Sequence, residues 1–132
     1  MALLDALAAQ LATDGVGTVG TTIFTGYMPD APDACVSILE GRGAGPEHVF
    51  GSSVVAIERP SIRVVCRAGR NDYPAARAKA IAVRASLGAI RNVTISSIVF
   101  HSVQPSSDPY PLGLDDKERA RFGVDFASWV SP

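Results

Sequence analysis

The residue types that most often carry chemistry are scarce in this sequence. Its 132 residues include two histidines, two cysteines and one tryptophan, and only 19% of them are charged. Neither histidine has a second histidine, cysteine or carboxylate at the spacing of a metal site, and the cysteines form no CxxC pair. No apolar run approaches the roughly 20 residues that cross a bilayer. These absences argue against a metalloprotein, a dithiol redox protein and a membrane-spanning protein.

Two segments partly match functional loops, but each lacks the rest of its motif. Residues 41–45 hold three glycines, yet Pro46 and then a predicted strand follow where a phosphate-binding loop leads into a helix. The acidic residues at 115–118 lack the glycine and the ligand spacing of a calcium loop. The serines at 52–53 have no nucleophile-elbow context. We therefore predict no catalytic, cofactor-binding or metal-binding residue, and no enzymatic activity.

Hydrophobic periodicity predicts secondary structure best between Glu58 and Gly88. Apolar and polar residues alternate over 61–67, which predicts a strand with one buried face. After Asp72 the apolar residues step by three and four, which predicts a helix. Asp72 is placed to cap that helix, and Gly88 to end it. This segment is thus a strand followed by a helix, with arginines on its predicted outer surface.

Taken over its whole length, the sequence predicts a single domain, residues 1–132, of the α+β class. We expect a first helix over 2–13, and we expect Gly41–Ser53 to be a long mobile loop and 104–113 an irregular connection. The predicted strands are 21–27, 34–39, 54–67 (bent at Pro60, which has no N–H to donate), 93–103 and 122–130. Short connections favour a small mixed, mainly antiparallel sheet of about five strands, with both helices packed on one face.

The two cysteines, Cys35 and Cys66, fall within predicted strands and not in a loop framework. Small disulfide-stapled domains place their cysteines differently, and thiols in strands usually pack as small apolar residues. We therefore predict two buried, reduced thiols.

Charge is unevenly distributed along the chain. Residues 1–58 hold seven acids and one base, whereas residues 59–104 hold eight bases and one acid. If these blocks occupy opposite faces, copies of the chain would meet head to tail; if they interleave in space, the asymmetry cancels. On the first alternative we expect an interface with Arg67, Arg70 and Arg77 among the donors and Glu40 or Glu47 among the acceptors. Separately, we expect the glycine-rich loop to be a contact surface in an assembly, because its Arg42, Glu47, His48 and Phe50 have no evident place in the core.

Five segments together carry a family resemblance. They are GTTIFTGYMPDAPD, the strand ACVSILEG, the strand ERPSIRVVCRAG, the helix DYPAARAKAIAVRASL and the late segment PLGLDDKERARFGVDF. Taken with the short amino-terminal helix, this succession resembles the tail terminator, or minor capsid, proteins of long-tailed bacteriophages. The likeness extends from about Ala2 to Val130. Its most specific parts are Pro60–Arg67 followed by Tyr73–Leu87, and the cluster of Pro111, Leu112, Gly113, Asp115 and Arg119.

The resemblance implies a non-enzymatic assembly protein without a cofactor. Such a protein would cap the tail tube as a hexameric ring, end tail polymerisation and join the tail to the head connector. Its partners would be copies of itself, the tail tube protein and the head connector or head-closure protein, with DNA passing through the ring without sequence specificity and no membrane contact. It would reside in the tail or neck of the virion after assembly in the cytoplasm of the bacterial host.

Two other classes of protein remain compatible with the sequence. One is another head–tail connector component, such as a head-closure protein. The other is a small ligand-binding or enzymatic domain whose site is assembled from scattered residues.

Overall fold

A computed structural model describes residues 2–48, 50–51 and 55–131 of the chain, without the side chains at 2, 44–48, 55 and 56. In chain order the elements are α1 (Ala2–Thr13), β1 (Ile23–Thr25), β2 (Cys35–His48), β3 (Val55–Arg70), α2 (Tyr73–Gly88), β4 (Arg91–Ile95), β5 (Ile98–Pro105), β6 (Tyr110–Leu114) and β7 (Arg119–Ser131). The predicted α+β class is confirmed. The described residues form seven strands in place of the five that we expected.

The strands form one mixed sheet in the order β1-β2-β3-β7-β5-β4, and β6 also pairs with β7. The short strand β1 runs parallel to β2, and the other described pairs are antiparallel. Along one edge of β7, the first residues pair with β6 (Leu114 with Ala120) and the last pair with β5 (Val99 with Ser131). The last strand in chain order is therefore central in the sheet.

One face of the sheet carries the hydrophobic core. Ile62, Val64 and Cys66 of β3 are fully buried there. Val36 and Ile38 of β2, and the three register partners in β7, extend the same rows. Both helices contribute to this one cluster, through residues such as Leu7 of α1 and Val83 of α2. The intervening residues of β3 and β7 point to the opposite side, which we call the outer face. The amphipathic pattern thus places the two helices on the same side of the sheet.

Both helices have the predicted bounds. α1 covers Ala2–Thr13 and α2 covers Tyr73–Gly88. As expected, Asp72 caps α2, because its side-chain oxygen accepts a hydrogen bond from the backbone N–H of Ala75 at 3.3 Å.

The glycine-rich segment that we predicted as a loop belongs to a long β-hairpin. β2 continues to His48, so the expectation of an irregular segment over 41–48 is wrong; Val49 and residues 52–54 lie outside the described part. At Gly43 an added Cβ would lie 2.4 Å from the carbonyl oxygen of Arg59. Glycine is needed here because the two strands approach closely, and not because the chain must flex. We call the distal part of this hairpin, residues 40–51 with the start of β3, the hairpin arm.

An irregularity in pairing lies opposite Pro60. Gly41 pairs with Ser61 and Ala44 with Arg59, so three steps along β2 match two along β3. A bulge of this kind accommodates a residue that has no N–H to donate to the ladder. The strand is therefore interrupted at Pro60, as the sequence predicts, without ending there.

The structure differs from the predicted strands in two places, one at an unusual turn and one at a strand that contains proline. The segment 93–103 is two strands, β4 and β5, joined by Ser96 and Ser97 with φ of 49° and 68°. Two residues with positive φ form a tight hairpin turn, but the usual Asn-Gly or Asp-Gly pair is missing from the sequence. The predicted irregular connection contains most of β6, although its proline content argues against a strand. β6 is possible because it has a free edge.

Candidate assembly surface

Arg67, which we expected on the exposed surface, is buried. Its exposed fraction is 3%, and its guanidinium donates to the carbonyl oxygens of Pro29 and Pro32 at 2.7 Å and of Asp33 at 2.8 Å. A planar fork with five N–H donors can satisfy several carbonyls at once. The expectation of exposure is wrong because residues 29–33, which we call the Asp30 loop, fold over this end of β3.

Arg119 holds the Asp30 loop from the neighbouring strand β7. It is 4% exposed, donates from Nε to Asp115 at 2.7 Å, and donates from its other nitrogens to Asp30 and Asp33. Burial acts to raise the pKa of Asp115, but hydrogen bonds from the backbone and side chain of Arg119 hold it below its ordinary value. Lys117 also pairs with Asp30 and is the main reason that the pKa of Asp30 is lowered. The loop is therefore a rigid part of the domain.

Ion pairs within the chain neutralise much of the basic middle block. Arg63 pairs with Asp125, Arg70 with Glu118, and Arg84 with Asp108. Arg91 instead donates to backbone carbonyl oxygens, including that of Val103 at 3.0 Å. The carboxylates that pair with these arginines lie in residues 108–125, so the carboxyl-terminal part of the chain, and not the acidic block 1–58, neutralises them.

The eight predicted interface residues do not form one patch. Glu40, Arg42 and Phe50 are exposed on the hairpin arm, whereas Arg70 and Arg77 are exposed at the far end of β3 and on α2. Arg67 lies beneath the Asp30 loop, and the side chains of Glu47 and His48 lie outside the described part. The exposed members therefore divide between two ends of the molecule.

A small apolar pocket lies at the second of these ends, where α2 begins and β6 turns into β7. It has a volume of about 130 Å³ and is lined by Tyr73, Pro111, Gly113, Leu114, Ala120 and Arg121. The Tyr73 ring packs edge-on against Phe122, with ring centroids 4.9 Å apart, so that wall of the pocket is held in place. Tyr73 and Leu114 are each about half exposed. No sequence pattern pointed to this pocket, because its walls come from three separate elements.

The outer face carries a polar and aromatic network. The Tyr110 ring covers Gly123, where an added Cβ would lie 2.7 Å from a ring carbon. Tyr110 Oη donates to Asp125 at 3.1 Å, and Arg63 Nε donates to the same carboxylate at 3.1 Å. Burial, and then the Asp125 charge, raise the pKa of Tyr110. These contacts join β3, β6 and β7, and they pair the charge of Arg63 with that of Asp125 within the chain.

The two thiols are buried and unpaired, as predicted. Cys35 pairs in register with Arg67, and Cys66 pairs with Val36, so the cysteine side chains point to opposite faces of the sheet. Burial raises the pKa of the Cys66 thiol to about 12, and burial also raises the pKa of Cys35. Neither thiol is suited to nucleophilic chemistry.

The described residues contain no arrangement suited to catalysis. No group of three or more histidine, cysteine, aspartate or glutamate side chains among them could hold a metal ion. His101 Nε2 lies 2.7 Å from Ser131 Oγ, and this contact joins β5 to β7. A hollow of about 460 Å³ between the ends of α1 and α2 holds Ser86, whose hydroxyl donates to Asp14. That hydrogen bond lowers the pKa of Asp14, which makes its carboxylate a weak general base.

Membrane insertion through a helix has no support in the described part of the chain. None of the helices there is both long and apolar enough to span a bilayer.

Comparison with known proteins agrees with the fold and identifies a family. No curated protein sequence matches the chain. A solved structure titled "Virion of native gene transfer agent (GTA) particle" contains a chain of similar fold, with a TM-score of 0.66 and 20% identity over 99% of this chain and 96% of that one. Residues 10–128 match the family described as bacteriophage tail terminator protein. Because this match covers most of its length, the chain belongs to the bacteriophage tail terminator protein family.

Proposed function

We propose that this chain caps the tail tube as a hexameric ring, ends tail polymerisation and joins the tail to the head connector. Membership of the tail terminator family supports a structural role in the phage tail or neck, and this is the observation that carries the proposal. On this proposal the protein has no enzymatic activity and no cofactor. Its partners are copies of itself, the tail tube protein and the head connector or head-closure protein, and it reaches the virion after assembly in the host cytoplasm.

The distribution of exposed groups supports a ring. Candidate contacts lie at two separate ends of the molecule, Arg42 and Phe50 on the hairpin arm and Arg77 on α2. Different patches on one protomer favour a head-to-tail contact, and such contacts generate closed rings when the rotation between neighbours closes. A patch that matched itself would instead favour a twofold dimer.

The internal ion pairs are compatible with DNA passing through the ring without being held. Affinity for DNA comes mainly from cations that neutralise phosphates. Arg63, Arg70 and Arg84 are already paired with carboxylates of the same chain. We therefore expect weak, sequence-independent attraction between the ring and DNA.

Electron microscopy of tail tubes tests the proposal. Tube protein is polymerised with and without this chain, and tube lengths, tube ends and free particles are imaged. We expect sixfold rings at one end of each tube and a halt in growth when the chain is added. Rim ion pairs contribute only about 0.2–1 kcal/mol each, so the free rings should weaken but survive when salt is raised.

Two results would contradict the proposal in different ways. Tubes that grow at the same rate with and without the chain, while the chain binds the connector, would assign it to head closure. A protein that stays monomeric at high concentration, in low and high salt and with tubes present, would remove the ring altogether.

A further inference from the structure

Phe50 is an unusual side chain for the surface of a small domain. It lies between the end of β2 and the start of β3 and is fully exposed, more than any other large apolar side chain in the described residues. Its neighbour Gly51 has φ of 73°, so the backbone turns there. Single exposed apolar residues are common, but an aromatic ring presented at the end of a long arm is suited to insertion into a partner.

The pocket beside Tyr73 has the size and chemistry to receive such a ring. Its volume of about 130 Å³ is close to the ~150 Å³ of an apolar cavity that binds benzene. The surface that lines it is apolar, and the half-exposed Tyr73 and Leu114 form its rim. Because the Tyr73 ring is fixed against Phe122, an incoming aromatic ring would meet a wall that is already in place.

The aromatic side chain of Phe50 and this pocket cannot meet within one chain. Phe50 precedes β3, which starts at Val55, whereas the pocket is lined by Arg121, which pairs with Arg67 near the other end of that strand. A strand advances about 3.3 Å per residue, so the 16 residues of β3 separate the two features by roughly 50 Å of extended backbone. A contact between them must join two copies.

We propose that Phe50 of one copy inserts into the Tyr73–Leu114 pocket of the next copy. This inference rests on the proposed ring, and it names the contact that closes it. The contact is heterologous, because the Phe50 side chain, which we call the knob, and the pocket are different surfaces. Each protomer of a hexameric ring would supply one knob and one pocket.

Disulfide trapping between variants that each carry one added cysteine gives the most direct test. Phe50→Cys and Leu114→Cys are mixed at high protein concentration, oxidised and examined by non-reducing electrophoresis. The high concentration is needed because Phe50→Cys lacks the aromatic ring, and the disulfide must capture a weakened contact. Both native cysteines have no exposed surface and will not compete. We expect a heterodimer from the mixture and little dimer from either variant alone. Val93→Cys, at a similarly exposed apolar position on β4, replaces Leu114→Cys as the control and should trap little dimer.

A mixing experiment tests the same contact without cross-links. Phe50→Ala removes the knob and Leu114→Arg fills the pocket, so each variant alone should lose rings and show a contact weakened by about tenfold or more. Mixed together, they retain one good knob and one good pocket. We expect 1:1 heterodimers that grow no further, measured by sedimentation or native mass spectrometry, while Val93→Ala forms normal rings.

The outcomes separate this contact from the ring itself. The contact would be overturned if wild-type protein forms rings, no Phe50–Leu114 disulfide is trapped, and the Phe50→Ala and Leu114→Arg variants still form rings. That result would leave the ring proposal standing. Trapping of Phe50→Cys to itself, or Phe50→Ala rings that fail only to bind tubes, would also overturn it, by assigning the knob to another partner. A wild-type chain that never self-associates would overturn both.

Discussion

Replacing Arg67 with methionine should loosen the Asp30 loop, which Arg119 still holds, while leaving the core intact. Methionine keeps an unbranched stem of similar length but has no N–H donors. The change therefore removes three short hydrogen bonds, to the carbonyl oxygens of Pro29, Pro32 and Asp33, without opening a large cavity. The loop is partly exposed, so water can reach some of the abandoned carbonyls.

The expected loss can be worked out from these contacts. A hydrogen bond with a charged partner contributes about 1.5–3 kcal/mol net, and partial resolvation limits the sum for Arg67 to about 2–4 kcal/mol. Unfolding entropy near 2.1 cal/mol/K per residue gives about 0.28 kcal/mol/K for 132 residues. The melting temperature should therefore fall by about 7–14 °C.

Urea and thermal unfolding followed by circular dichroism would measure this loss, at a protein concentration low enough that wild type and variants are monomeric, so that self-association does not contribute. Arg67→Lys keeps the charge without the planar fork and should lie between wild type and Arg67→Met. Arg77→Met changes an exposed arginine and should stay within about 0.5 kcal/mol of wild type. If Arg67→Met and Arg77→Met had equal, small effects, the assignment of Arg67 as the anchor of the loop would be refuted.

Three further predictions follow from local geometry. Gly43→Ala forces a Cβ against the backbone of β3 and should lower the free energy of unfolding by about 1–3 kcal/mol, whereas Gly69→Ala places its Cβ in open space and should stay within about 0.5 kcal/mol of wild type. Denaturant midpoints would compare the two variants, and equal effects would contradict the close approach of β2 and β3 at Gly43. Cys35 and Cys66 should react with a thiol reagent only at the rate of unfolding; rapid labelling of the native protein would contradict their burial. Because the folded pKa of Asp115 is lowered, its stabilising effect is present above about pH 4 and is lost as pH falls below it, so Asp115→Asn should flatten the stability profile there; an unchanged slope would count against this.

Sequence periodicity predicted the helices and the buried face of β3 because both depend on local, repeating patterns. Asp72 and the apolar stripe of α2 are sufficient to place that helix. The pairing of β4 with β5 was missed because Ser96 and Ser97 adopt positive φ without a glycine. The strand character of residues 41–48 was missed because glycine there reflects the approach of another strand, which no local pattern reveals.

The candidate contact surface was less predictable, for a related reason. An arginine on the polar side of a strand reads the same in sequence whether it faces solvent, as Arg63 partly does, or a folded-over loop, as Arg67 does. The pocket beside Tyr73 requires α2, β6 and β7 to meet, and those elements are brought together only by the tertiary fold. Phe50 was identified because an aromatic residue in a glycine-rich segment lacks a place in the core.

The central position of β7 also has a consequence for how the chain folds. β3 cannot complete its pairing until β7 is available. The register partners Ile62 and Phe126, for example, are separated by more than 60 residues of chain. Contacts of such long sequence separation slow folding, and until they form, β3, β5 and β6 have unpaired edges that can join strands of other molecules. Before β7 is available, the nascent chain therefore has unpaired strand edges that make it prone to aggregation.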